Sequence, residues 1–97
     1  MKKEIAIVGL GKMGGNIARR LMKKGWHVNG YNKTPEATKD LEKEGLIGSF
    51  SIKELTKKLS LPRIVWLMVP AGKAVDEVLF GKDGLTQYLG VGDAVID

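Results

Sequence analysis

The stretch IAIVGLGKMGGNIARRLMKKG, residues 5–25, carries the decision about the fold. Glu4-Ile5-Ala6-Ile7-Val8 is a short run rich in β-branched residues that stops at Gly9, and it reads as a buried strand. From Met13 the period changes. Met13, Ile17 and Leu21 recur every fourth residue beside Gly14, Ala18 and Met22, with basic residues opposite, so a helix follows and Gly25 stands at its C-terminal cap. Glycine costs about 0.5–1 kcal/mol relative to alanine within regular structure. Glycines at 9, 11, 14 and 15 therefore imply that the corner between strand and helix needs an unusual backbone shape or close access.

The remaining chain repeats the alternation. His27-Val28-Asn29-Gly30-Tyr31 is a second, weaker strand, and Thr34 followed by Pro35 suits a cap and first turn of a helix running through Ala37 and Leu41 to Gly45. Leu46–Phe50 reads as a short strand. Ser51-Ile52-Lys53-Glu54 has the spacing of a capping box, opening a helix through Leu55 and Leu59 that ends at Pro62. Ile64–Val69 is the most hydrophobic run and suits a strand buried on both faces. A helix over Ala74–Phe80, a helical turn within Leu85–Leu89 and a last strand, Ala94-Val95-Ile96, complete the chain. Strands alternating with helices predict an α/β fold, a doubly wound parallel sheet of about five strands in the order 3-2-1-4-5.

Composition narrows the function classes. The 97 residues make a single domain, with 43% hydrophobic and 28% charged residues. No apolar run has the ~20 residues of a membrane span, and Met1–Glu4 leads straight into a strand-like segment that does not read as a signal peptide, so a cytoplasmic location without membrane partners is expected. The chain has no cysteine and one histidine, which argues against disulfides and a metal site. Residues 1–33 hold eight Lys or Arg against one acid, Glu4, whereas the remainder is mildly acidic. The basic third suits an anionic partner, either nucleic acid or a phosphorylated small molecule, though Arg19, Arg20, Lys23 and Lys24 also read simply as a solvated helix face.

Gly9-Leu10-Gly11-Lys12-Met13-Gly14 has the G-x-G-x-x-G spacing after a strand and at the opening of a helix. In that context Gly9 permits the tight turn, Gly11 lets a pyrophosphate approach the backbone, and Gly14 lets the helix lie against the strand. Unpaired amides at the helix start then receive phosphate oxygens. The expected partner is a dinucleotide. An NAD-binding fold normally places Asp or Glu about 20 residues further on to hold the ribose 2′-hydroxyl. Here Asn32, Lys33 and Thr34 stand instead. A 2′-phosphate is not repelled there, Lys33 can pair with it, and Asn32 and Thr34 can donate to it; NADP is favoured and NAD stays open.

Three stretches, GLGKMGGNIA (9–18), YNKT (31–34) and WLMVPAGKAVDEV (66–78), give the chain a resemblance to the coenzyme domain of decarboxylating 6-phosphogluconate dehydrogenase and, more loosely, of the β-hydroxyacid dehydrogenases. The resemblance covers nearly the whole chain. It implies that residues 1–97 are an NAD(P)-binding Rossmann domain, the N-terminal piece or a natural remnant of a longer enzyme that oxidises 6-phosphogluconate and releases CO2 to give ribulose 5-phosphate. It places Gly9, Gly11, Lys12, Met13 and Gly14 at the dinucleotide, with Met13 near the nicotinamide unless it packs in the core. It also places Asn32, Lys33 and Thr34 at the adenosine 2′-phosphate, and Val69, Pro70, Ala71, Gly72 and Lys73 along the cofactor. Two features depart from NADP-using members. Lys33 stands where they usually carry Arg, and Ala37 stands where they carry a second Lys. The PEA stretch (35–37) is closer to an NAD-preferring short branch. The Gly-Gly-Asn-Ser stretch and the catalytic lysine and glutamate that follow in the family are not within these residues, so no catalytic residue is assigned and the sugar-phosphate substrate belongs to the longer enzyme.

Two further classes compete. A non-catalytic nucleotide sensor fits the turn, but common NAD-sensing versions end the second strand in an acid. A nucleic-acid binder fits the charge, but lacks an aromatic platform or recognition helix and leaves the glycines unexplained. A terminal strand at an open sheet edge would allow weak self-association, opposed by Asp93 and Asp97.

Overall fold

In the computed structural model the described residues are 3–60, 63–69, 73–81, 84–90 and 92–96. The order is β1 (Glu4–Val8), α1 (Lys12–Lys23), β2 (His27–Tyr31), α2 (Pro35–Glu42), β3 (Ile47–Ser49), α3 (Ile52–Lys58), β4 (Ile64–Leu67), α4 (Lys73–Phe80), a 3-10 turn (Leu85–Gln87) and β5 (Ala94–Ile96). The strands form one sheet in the order β3-β2-β1-β4-β5, every neighbouring pair parallel. That is the topology the sequence predicts.

β1 is central because it is apolar on both faces. Ile5 and Ile7 join Val28, Leu41, Leu46 and Ala18 on the side covered by α1 and α2, while Ala6 and Val8 join Val65, Leu67, Leu55 and Leu85 on the side of α3. Helix α1 ends in a Schellman motif: Gly25, at φ 86°, donates to the Met22 carbonyl, and Trp26 donates to that of Leu21. Helix α2 closes in the same way through Gly45 and Leu46. Ser51 caps α3 by accepting from the Glu54 N–H at 3.0 Å. The Glu54 carboxylate reaches back one residue beyond the capping-box partner, to the Phe50 N–H at 2.6 Å. That bond, ahead of the charge of Lys58, holds the Glu54 carboxyl below its usual range.

β5 is fastened by charge. Asp93 accepts from the Arg63 N–H at 2.6 Å and the Gly90 N–H at 2.8 Å, and lies 3.1 Å from the Arg63 guanidinium. The same guanidinium donates to the carbonyls of Thr56 and Tyr88, and Ala94 donates to the Arg63 carbonyl at 2.7 Å. The two backbone N–H groups, Arg63 first, push the Asp93 carboxyl below its ordinary range. Both edge strands expose apolar side chains, Ile47 on β3 and Val95 and Ile96 on β5. Among the described residues no helix is long and apolar enough to cross a membrane, and no group of three His, Cys, Asp or Glu is placed to hold a metal.

Several expectations need correction. The hydrophobic run after Pro62 pairs only as far as Leu67, so Val69 lies in the bend beyond β4 and not within it. The Thr34 backbone stands at the cap position of α2, but its side chain makes no capping bond. Met13 is 71% exposed, which rules out core packing; the buried face of α1 is Gly14, Gly15 and Ala18.

Candidate dinucleotide-binding site

The site is built where β1, β2 and β4 end. Gly9 leaves β1 at φ 101°, its N–H donating to the Tyr31 carbonyl at 2.9 Å, and a Cβ there would lie 2.6 Å from the Met68 carbonyl oxygen. This is a turn that strains any L side chain and has no room for one. At Gly14 a Cβ would collide with the Gly9 carbonyl oxygen, so α1 starts pressed against the turn it leaves. Gly11 differs. Its φ is −70°, and a Cβ would meet nothing within 4 Å. The protein itself does not require glycine at that position.

Gly11 is the N-cap of α1, with no side-chain capping bond, and the first turn carries no acid. The backbone amides and the positive end of the helix dipole are left to an anion from outside. These features fit a dinucleotide. The turn is shaped by Gly9 and Gly14, the space over Gly11 is open, and no side chain of the helix takes the place of the phosphates.

At the end of β2, Asn32 is half-buried. Its Oδ1 accepts from the Leu10 N–H at 2.8 Å, and its Nδ2 donates to the Thr34 Oγ1 at 2.8 Å and carbonyl at 3.1 Å. Lys33 is exposed, and among the described residues it has no ion-pair partner. By contrast Arg19, read from sequence as a solvated face, pairs with Glu44 at 2.9 Å across α1 and the end of α2.

A cavity of about 420 Å³ opens beside this loop, lined by Gly9, Asn32, Lys33 and Val69 together with Tyr31, Phe50, Ser51 and Glu77. Its size suits a small-molecule site. Gly11 and Lys12 line a separate groove of about 310 Å³ between α1 and α2, and Met13 borders a smaller one of about 170 Å³. The structure thus gathers Gly9, Asn32, Lys33 and Val69 at one cavity, with Gly11, Lys12 and Met13 on neighbouring surface and Thr34 tied to Asn32. Pro70, Ala71 and Gly72 lie outside the described residues, as does the side chain of Lys73, whose backbone opens α4. Phe50, Ser51 and Glu77 are cavity residues that sequence reasoning missed. Their patterns signal only a cap and a helix face, and their approach to β1 and β2 arises from the tertiary fold.

A doubly wound parallel sheet with a glycine turn leading from its central strand defines a Rossmann-type dinucleotide-binding domain. The family model for the NAD binding domain of 6-phosphogluconate dehydrogenase matches residues 4–97, and the chain belongs to that family. It is 36% identical over 102 residues to the decarboxylating 6-phosphogluconate dehydrogenase of Chlamydia pneumoniae, and 34% identical over 100 residues to that of Escherichia coli K12. These alignments take in 100% and 99% of the chain, but 21% of each relative. The chain spans about a fifth of the length of those enzymes.

Among solved structures, Psf3 in complex with NADP+ and 2-OPP superposes with a TM-score of 0.84 at 30% identity, over 94% of this chain and 31% of that one. The 3-hydroxyisobutyrate dehydrogenase of Salmonella typhimurium gives 0.80 at 31% identity, over 95% and 31%. An imine reductase from Myxococcus stipitatus in complex with NAD+ shares the fold, with a TM-score of 0.79 at 20% identity over 98% and 31%. The chain is thus related to NAD(P)-dependent dehydrogenases, and a nicotinamide dinucleotide is the cofactor class these comparisons support.

Proposed function

We propose that the chain binds NADP(H) as the coenzyme domain of an oxidoreductase resembling decarboxylating 6-phosphogluconate dehydrogenase, which converts 6-phosphogluconate to ribulose 5-phosphate and CO2. The observation that carries the coenzyme preference is the end of β2. No carboxylate stands there to repel a 2′-phosphate, and Lys33 is exposed on the cavity wall without an ion-pair partner among the described residues. In this reading the amides at Gly11, Lys12 and Met13 hold the pyrophosphate, and Lys33 pairs with the 2′-phosphate. Val69 packs along the cofactor, with Pro70, Ala71 and Lys73 following it. When bound, the nicotinamide supplies the hydride acceptor, while this chain holds and orients the coenzyme.

A hydrogen bond to a charged group contributes about 1.5–3 kcal/mol, enough for about a tenfold preference or more. Calorimetric titration of the 97-residue chain is expected to show NADPH binding several-fold tighter than NADH. Equal or tighter binding of NADH overturns the preference, and binding of neither overturns the dinucleotide reading itself. A second reading, the coenzyme domain of another β-hydroxyacid dehydrogenase, is favoured by the 31% identity to 3-hydroxyisobutyrate dehydrogenase. The two differ in substrate and share the role of these residues.

A further inference from the structure

The Asn32 amide is hydrogen-bonded through both its oxygen and its nitrogen. Its Nδ2 lies 2.8 Å from the Thr34 Oγ1 and 3.1 Å from the Thr34 carbonyl oxygen, so the donor side of the amide faces Thr34. The orientation of the amide is fixed by its partners. A flipped side chain would set Nδ2 against the Leu10 N–H, donor against donor, and Oδ1 against the Thr34 carbonyl, acceptor against acceptor. The donor side of the amide is thus turned to Thr34 in the ligand-free protein. Its Oδ1 meanwhile holds the N–H of Leu10, the residue between Gly9 and Gly11, across 22 positions of chain.

We infer that Asn32 is a positioning residue for coenzyme binding: its Oδ1 clamps the glycine turn through the Leu10 N–H and so sets the amides after Gly11 for the pyrophosphate. The inference rests on the dinucleotide reading above and deepens it. Leu10 is thereby withdrawn from the anion-binding amides, and the turn is tied to the loop after β2. Both coenzymes share the pyrophosphate, so the clamp serves NADPH and NADH alike. A carboxylate in place of the amide keeps an acceptor for the Leu10 N–H, and the Thr34 hydroxyl can turn to donate to its second oxygen, so Asn32→Asp retains the hold on Leu10 whereas Asn32→Ala releases it.

The test is titration of the 97-residue chain, Asn32→Ala and Asn32→Asp with NADPH and NADH, together with hydrogen exchange of the Leu10 amide in the ligand-free proteins. Asn32→Ala is expected to weaken both coenzymes by about tenfold, with their ratio kept within about twofold, as the loss of one hydrogen bond in a pre-set turn predicts. Asn32→Asp is expected to restore NADH binding to within about twofold of the parent. Leu10 exchange should rise in Asn32→Ala relative to the β1 amides and stay protected in Asn32→Asp, which a general loss of stability would not produce. Weakened NADPH binding with unchanged NADH binding would make Asn32 a direct phosphate ligand and overturn the inference. So would unaltered binding of both coenzymes, failure of Asn32→Asp to restore NADH binding, or unchanged Leu10 exchange in Asn32→Ala. If the parent binds neither coenzyme, it is the dinucleotide reading that fails, and the Leu10 exchange still reports on the clamp.

Discussion

Gly11 and Gly14 stand three residues apart and answer to different demands. A methyl group at Gly14 meets the Gly9 carbonyl, so that glycine serves the packing of α1 against its own turn. At Gly11 the backbone is ordinary and the space is open, so no contact among the described residues excludes a side chain there. Gly11→Val is therefore expected to fold and to melt close to the parent, yet to lose coenzyme binding in calorimetry. Unchanged affinity in the folded variant would show that the turn serves structure alone. Lys33 is the complementary case, a side chain whose charge and not its shape is at stake. Lys33→Asp is expected to reverse the preference to NADH over NADPH, because the new carboxylate can accept from a ribose hydroxyl and repels a phosphate. An unaltered preference would remove Lys33 from the site. The glycine spacing was legible in the sequence because the turn and the helix start it shapes lie within six consecutive residues, 9–14. The bonding of Asn32 was not, because its partner at Leu10 is brought near only when β1 and β2 pair.

At the scale of elements, the local signals did well where the chain answers to itself. Gly25 after α1, Ser51 before α3 and the apolar run of β1 all produce what their chemistry predicts, whereas β4 is shorter than its apolar run and fully buries only Val65 and Leu67. The Thr34 hydroxyl oxygen accepts from Asn32 and makes no bond to the helix N–H groups. Met13 keeps helical phase with Ile17 and Leu21 but is exposed in the first turn of α1; periodicity gives the direction of a side chain, not whether another layer covers it. The strand least supported by apolar packing is β5, every residue of which is exposed. Its attachment through Asp93 gives it a pH dependence. The Asp93 carboxyl is depressed in the folded state, so its contribution is present above the unfolded pKa and is lost as pH falls through the folded value. Asp93→Asn is expected to melt below the parent at neutral pH. The gap should close as the pH drops below about 4, the ordinary carboxyl range. A gap independent of pH would show that the carboxylate's charge contributes nothing to the attachment of β5.

For the whole molecule, the chain covers about a fifth of its enzymatic relatives, and that sets what it can do alone. Proton removal from a substrate hydroxyl needs a base within about 3 Å of it, and we assign no such residue within positions 1–97. Purified alone, the chain is expected to bind coenzyme and to form no NADPH when 6-phosphogluconate and NADP+ are supplied. Substrate-dependent NADPH formation that Gly11→Val abolishes would overturn this. The strand order also has a temporal side. β1 reaches β2 across a single helix, whereas Ala6 meets Val65 only after α1, β2, α2, β3 and α3 have been laid down between them. Closing the longer loop costs more chain entropy before any contact offsets it, so the half containing β1, α1 and β2 has the advantage in starting the fold. Stopped-flow kinetics should find the loss of stability in Val28→Ala expressed mainly as slower refolding, and that in Leu85→Ala mainly as faster unfolding. The opposite partition would place the nucleus around β4, and the sheet would then grow inward from the edge carrying β5 toward β1.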